Sequence, residues 1–188
     1  MKVLLEPYNP KWIPLFQLQK ERIVRALAEF SPVIEHIGST ALPGIMAKPI
    51  IDILVGVSEE ELPHVVKPMK AEGFVYVSKF EKDMPYRKFF VDANVAEEEI
   101  GPDDYRKFGV DIHSTANIHV IPSDSVHFLR HIAFRDYLRA HEDIKMQYNR
   151  LKQDIVKQDM EDHNHYNSYK NEFVKSVESD ALAWYFQQ

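Results

Sequence analysis

Apolar positions along the chain change their spacing several times, and each change marks an element. After Asn9-Pro10, Trp12, Phe16, Ile23, Leu27 and Phe30 recur at near-helical spacing. Asn as N-cap and Pro in the first turn suit a helix start, so a first helix is predicted that ends before Pro32. Val33 to Ile37 reads as a short strand, and Pro49 to Val57 as a longer one. The longer run is apolar on both faces, the pattern of a central strand covered on each side. Ser58 followed three residues later by Glu61 is a capping box, and predicts a helix ending near Gly73 that Pro68 kinks or shortens. Phe74 to Ser78 and Tyr86 to Val91 predict a strand pair, and Asn117 to Ile121 a further strand. Between them, Asp92 to Gly109 is acidic and irregular and is predicted to be a long loop.

Beyond Pro122 the spacing stays helical. Val126, Leu129, Ala133 and Tyr137 form one stripe, Ile144, Tyr148, Leu151 and Ile155 a second, and Tyr166, Lys170, Phe173 and Val177 a third. Three closing helices follow from these stripes. Strands and helices followed by a helical tail predict an α+β domain with a mixed sheet flanked by helices. We read residues 1–188 as one such domain, with an α+β core over 1–122 and a helical extension over 123–188.

Composition narrows the function. The formal net charge is −6, from 29 acidic and 23 basic residues, which argues against general nucleic-acid binding. No apolar run approaches the length of a membrane span. The amino-terminal MKVLLEPYNPKW lacks the apolar core and cleavage site of a secretory signal, so cytoplasmic residence is expected. There is no cysteine, so any metal must be held by His, Asp or Glu.

Chemistry concentrates between the first two predicted strands. Asp52 stands between Ile51 and Ile53 inside an apolar run, and an unpaired carboxylate costs several kcal/mol to bury. It is read either as a metal or ligand contact, or as a strand-end acid paired to Lys48, Arg87 or a helix N-terminus. Gly38-Ser39-Thr40 offers backbone N–H groups and hydroxyls to phosphate oxygens, or forms a plain tight turn. Lys48 is held extended by Pro49 and is read as an anion contact or a surface lysine. Arg87 and Lys88 should face opposite sides of a strand, and Arg87 is the candidate phosphate ligand. His36 and His119 would add to Asp52 a two-His-one-Asp metal site if their strands were neighbours, or are hydrogen-bonded structural histidines. Arg135 and Arg139 share a helix face that flanks an anion cleft or carries ion pairs. His163-Asn164-His165 is read as a cap or loop, and Trp184-Tyr185-Phe186 as a cluster that docks on the body or on a second subunit.

The run His36-Ile37-Gly38-Ser39-Thr40-Ala41-Leu42-Pro43-Gly44, with Ala47-Lys48-Pro49-Ile50-Ile51-Asp52-Ile53, closely resembles the signature of the GrpB family. Further matches are Tyr8-Asn9-Pro10-Lys11-Trp12, Tyr86-Arg87-Lys88-Phe89-Phe90, Ile118-His119-Val120 and Phe134-Arg135-Asp136-Tyr137-Leu138-Arg139. The resemblance implies a nucleotidyltransferase-like fold, with a Gly-Ser turn after the first strand and acids on the next, but no particular reaction. Members also occur fused to dephospho-CoA kinases. Nucleotidyl transfer commonly uses two metal ions held by three carboxylates, two of them alternating on one strand. Here Ile50 and Leu54 flank Asp52 at that spacing, and the neighbouring strand offers Asn117 or His119 for the third acid. The expectation is therefore a nucleotide- or phosphate-binding protein. Gly38, Ser39, Thr40, Lys48 and Arg87 would hold phosphates, Asp52 would hold one Mg²⁺ or other divalent cation, and Asp52 and His119 would be the catalytic candidates for a transferase. The alternatives are a non-catalytic regulatory module linked to coenzyme A metabolism, and a metal-assisted phosphate-ester hydrolase. Oligomeric state is left open.

Overall fold

The computed structural model of the chain describes residues 4–93, 114–157 and 163–188. In chain order it runs α1 (Trp12–Ala26), β1 (Val33–Ile37), β2 (Ile51–Val57), α2 (Val66–Ala71), β3 (Val75–Tyr76), β4 (Lys88–Ala93), β5 (Ser114–Pro122), α3 (Val126–Ala140), α4 (Glu142–Lys157) and α5 (His163–Tyr185). The strands form one sheet in the order β1-β2-β5-β4-β3. Strands β2 and β5 are parallel and every other pair is antiparallel. The architecture is therefore α+β, a mixed sheet flanked by helices with a helical carboxy-terminal segment, as the spacing predicts.

Register divides the side chains between two faces. Rows His36·Ile53·Ile118·Phe90 and Ile34·Val55·Val120 join Trp12, Phe16 and Ile23 of α1 and Met69 of α2 in the main core. The opposite face carries the rows Ile37·Asp52·Asn117·Val91 and Glu35·Leu54·His119·Phe89. Its apolar part, Ile37, Leu54 and Ile121, packs on Phe128 and Ile132 of α3 and on Tyr185 of α5. Helix α3 is capped by Ser125, whose hydroxyl accepts from the Phe128 N–H at 3.2 Å. Helix α4 closes the end of this layer, with Tyr148 against Leu42, Ile45 and Leu138.

Several expectations are corrected in detail. The Ser58–Glu61 capping box forms reciprocally, at 2.8 and 3.2 Å, but opens a single 3-10 turn, Leu62–His64, rather than a long helix. A helix running through His64 would set the Pro68 ring against the His64 carbonyl, so α2 starts only at Val66, with Pro68 in its first turn. The predicted Asp92–Gly109 loop begins late. Asp92 and Ala93 complete β4, where the Asp92 carboxylate accepts from Gln19 at 2.6 Å and pairs with Arg22 at 2.9 Å. Residues 94–109 of that loop lie outside the described residues. The His163-Asn164-His165 segment opens α5 rather than forming a loop.

Arg135 and Arg139 tie α3 to the sheet edge. Arg135 donates to Glu35 at 2.5 Å and to the His36 carbonyl at 3.1 Å, and Arg139 donates to the Ala41 carbonyl at 3.0 Å. Of the closing aromatic cluster, Trp184 packs edge-on against Tyr137 and His141 and Tyr185 joins the α3 core, while Phe186 stays exposed.

Candidate functional site

Asp52 sits at the edge of the helix-covered face because β2 begins one residue before it. Its register partners are Ile37 on β1 and Asn117 on β5, and the Asn117 amide donates to Asp52 Oδ1 at 3.0 Å. The strand position suggested for the third acid is thus occupied by Asn117. On the other side the chain leaves β1 through Gly38, at φ +71° and ψ −169°, a conformation open in practice only to glycine. Its backbone lies directly on the carboxylate, and a Cβ at Gly38 would stand 2.3 Å from Asp52 Oδ2. Burial pushes the Asp52 pKa up, opposed by the positive field of Lys170, the Asn117 hydrogen bond and Lys48.

The two hydroxyls of the turn differ in burial. Ser39 starts the 3-10 turn Ser39–Ala41 and keeps partial exposure. Thr40 is buried, and its hydroxyl bonds His36 Nε2 at 2.9 Å. His36 stacks on Phe16 of α1, centroids 4.7 Å apart, and burial followed by Arg139 and Arg135 lowers its pKa to about 4. His36 therefore serves the main core as a neutral structural histidine, with the Thr40 hydroxyl beside it. His36 shares a row with Ile53 and Ile118 whereas His119 shares one with Leu54, so the two histidines lie on opposite faces of strands that β2 also separates. The set of His36, Asp52 and His119 is not brought together, which removes the basis for the metal-hydrolase alternative.

His119 stands two residues beyond Asn117 on β5 and faces the same side. Arg87, two residues before Phe89, shares that side, and its Nη1 lies 3.2 Å from His119 Nδ1. A guanidinium only donates, so Nδ1 accepts and the His119 proton resides on Nε2. His119 thus presents an N–H to its surroundings, and its only lone pair is already taken. That geometry suits a hydrogen-bond donor and not a general base. Burial, then Arg87, His131 and Lys170, hold its pKa well below the usual histidine range. His131 of α3 lies 6.1 Å away between ring centroids, and burial, followed by Arg130 and Arg87, lowers its pKa to about 4. Lys88 points to the other face, paired with Glu81 at 2.7 Å, as the alternation predicts.

Lys170 of α5 joins the two ends of this strip, since its charge acts on both Asp52 and His119. The Tyr148 phenol, then Asp52, hold its pKa above the ordinary lysine value against the opposing effect of burial. Behind it Lys152 is fully buried, donating to the Met46 carbonyl, with its ammonium 4.8 Å from the Tyr148 ring centre. Burial and Lys170 bring the Lys152 pKa down to about 7. Sequence reasoning left Lys170, His131 and Arg130 out of the site. One signal was available: Lys170 interrupts the otherwise apolar stripe that ends in Phe173 and Val177.

Asp52, His119, His131 and Lys170 are hemmed in closely enough for desolvation to act on their charges, yet each keeps some accessible surface. The second-acid position is closed to this chemistry, because Leu54 is fully buried against Phe128 and Ile132. Among the described residues no group of three or more His, Cys, Asp or Glu is placed to hold a metal ion. No helix among them is long and apolar enough to cross a membrane.

The fold defines a class: α+β proteins whose five-stranded mixed sheet lies beneath a helical layer on its Asp52 face. The chain belongs to the GrpB family, whose model, described as GrpB protein, matches residues 2–180. It is 30% identical over 182 residues to the glutamate-rich protein GrpB of Alkalihalophilus pseudofirmus, covering 94% of each chain. It is 34% identical over 184 residues to the UPF0157 protein YqkA of Bacillus subtilis, covering 97% of this chain but 48% of that one. The chain therefore spans about half the length of that relative. The crystal structure of the conserved protein GrpB from Enterococcus faecalis superposes with a TM-score of 0.78 at 30% identity, covering 97% of this chain and 99% of that one.

Proposed function

We propose that this protein binds a nucleotide or another phosphorylated small molecule in the cleft between the Asp52 face of the sheet and helices α3 and α5. The observation that carries the reading is the charge of that strip. Lys48 and Lys170 act on Asp52, and Arg87 and Arg130 act on His131, whereas Asp52 is the acid on the floor and Glu178 is 3.8 Å from Arg130. Cations in surplus over carboxylates favour an anionic guest. The fold suits the reading, since a Gly-Ser turn followed by a strand acid is the arrangement expected of a nucleotidyltransferase-like sheet. A divalent cation would find one protein carboxylate here, facing two lysines, so most of its ligands would come from the guest's phosphates. With Leu54 in the second-acid position and the His119 lone pair engaged, binding is favoured over two-metal transfer.

Thermal-shift measurements with nucleotides and sugar phosphates, each with and without Mg²⁺, test the reading. A ligand at about 100 times its Kd stabilises by roughly 2.7 kcal/mol, which for a chain of this size raises Tm by roughly 5–10 °C. Lys170→Met should abolish the shift. If no phosphorylated compound moves Tm, or the Lys170 variant responds as wild type does, the reading falls.

A further inference from the structure

The two ends of the strip differ in chemistry. At one end Arg87 Nε is buried and has no hydrogen-bond partner among the described residues. A buried donor left without an acceptor is costly, so an oxygen-rich anion is the natural complement. The Nε2–H of His119, fixed by the Arg87 contact, is a second donor, and Arg130 adds charge beside His131. Glu178 lies 3.8 Å from Arg130 and offsets part of that charge. At the other end stand the Asp52 carboxylate and the Asn117 amide, already bonded to each other at 3.0 Å. A second phosphate placed there would meet a like charge, whereas a hydroxyl can donate to the carboxylate or bond the amide. Asn117 and His119 are two residues apart on one strand, so the ends lie roughly 7 Å from one another. A single small molecule can reach both.

We propose that the cleft takes a phosphate ester of a polyhydroxy group, a sugar or nucleoside phosphate, with the phosphate between Arg87, His119 and His131 and a hydroxyl on Asp52 and Asn117. This rests on the phosphate-binding reading above and deepens it by naming the class of guest and its direction in the cleft. Inorganic phosphate fills one end only, and pyrophosphate sets its second anion toward Asp52.

Isothermal titration calorimetry of the full chain with inorganic phosphate, pyrophosphate and ribose 5-phosphate separates the ideas. Ribose 5-phosphate should bind about tenfold tighter than either inorganic anion, the worth of one added hydrogen-bonding group. Asp52→Ala should bring ribose 5-phosphate down to the affinity that inorganic phosphate shows for the same variant. Arg87→Met should weaken all three about tenfold. The comparison of the three ligands on wild-type protein needs no variant, and melting curves show whether each variant folds. Equal binding of all three overturns the sugar-phosphate assignment and leaves phosphate binding standing, as does a preference that survives Asp52→Ala. Absence of binding by any of them removes both.

Discussion

Substituting Gly38 with alanine probes the contact on which the cleft depends, and its cost has two separable parts. The first is local: Gly38 lies at φ +71° and ψ −169°, and an L-residue there costs about 1–3 kcal/mol. The second comes from Asp52. The new Cβ would stand 2.3 Å from Oδ2 and 2.9 Å from the Asp52 Cβ, so the carboxylate must move and surrender the Asn117 hydrogen bond. A hydrogen bond to a charged group is worth about 1.5–3 kcal/mol, so Gly38→Ala should lose roughly 3–5 kcal/mol in all. That is a large part of the roughly 5–15 kcal/mol that holds an ordinary domain together. Urea unfolding followed by tryptophan fluorescence measures it, since Trp12 is buried in the main core. The double variant isolates the contact. With Asp52→Ala already made, Oδ2 and the Asn117 bond are gone, and what remains is the backbone part and the 2.9 Å approach of the two Cβ atoms, so the two substitutions should couple by about 2 kcal/mol. A Gly38→Ala cost below about 1 kcal/mol, or the same cost in both backgrounds, would refute the geometry.

Because burial raises the folded pKa of Asp52, the folded state holds a proton that the unfolded chain releases as pH rises above the ordinary carboxylate value. Stability is lost as pH rises through that window, so Asp52→Asn should melt above wild type at neutral pH and the difference should vanish in acid; Tm against pH for both proteins checks this. Lys152 runs the other way. Its folded pKa of about 7 lies below the ordinary lysine value of 10.5, so the unfolded chain binds the extra proton and stability rises with pH from about 7 to 10.5. Urea titrations at the two ends of that range should show the rise in wild type and not in Lys152→Met. Arg135→Ala should cost roughly 2–4 kcal/mol by chemical denaturation, because it strips Glu35 and Asp136 of a nearly buried partner. It also uncovers the His36 carbonyl on the edge strand β1, so concentration-dependent association is expected in sedimentation velocity.

The elements of this fold were legible because each carries its own signal, whereas the site depends on pairings that no single segment encodes. The apolar run around Asp52 marked a central strand without reference to any other part of the chain, and β2 indeed lies between β1 and β5. Asn117 or His119 could be named as the occupant of the third-acid position, but the choice between them needed the register: Asn117 opposes Asp52, and His119 opposes Leu54. A shift of one residue would exchange the faces, and that ambiguity is why His36 was grouped with Asp52 although it belongs to the α1 core. Lys170 is the more instructive miss. It is far along the chain from Asp52 and occupies an apolar stripe, where a lysine needs a reason much as an acid in an apolar strand does. The charges of Lys170 and Asp52 act on one another, which is the reason each tolerates an apolar setting. Two buried charges of opposite sign on separate elements, each unexplained locally, are most economically explained by one another. What the sequence withholds is the distance between them, and on that distance depends whether they neutralise each other or hold a guest between them.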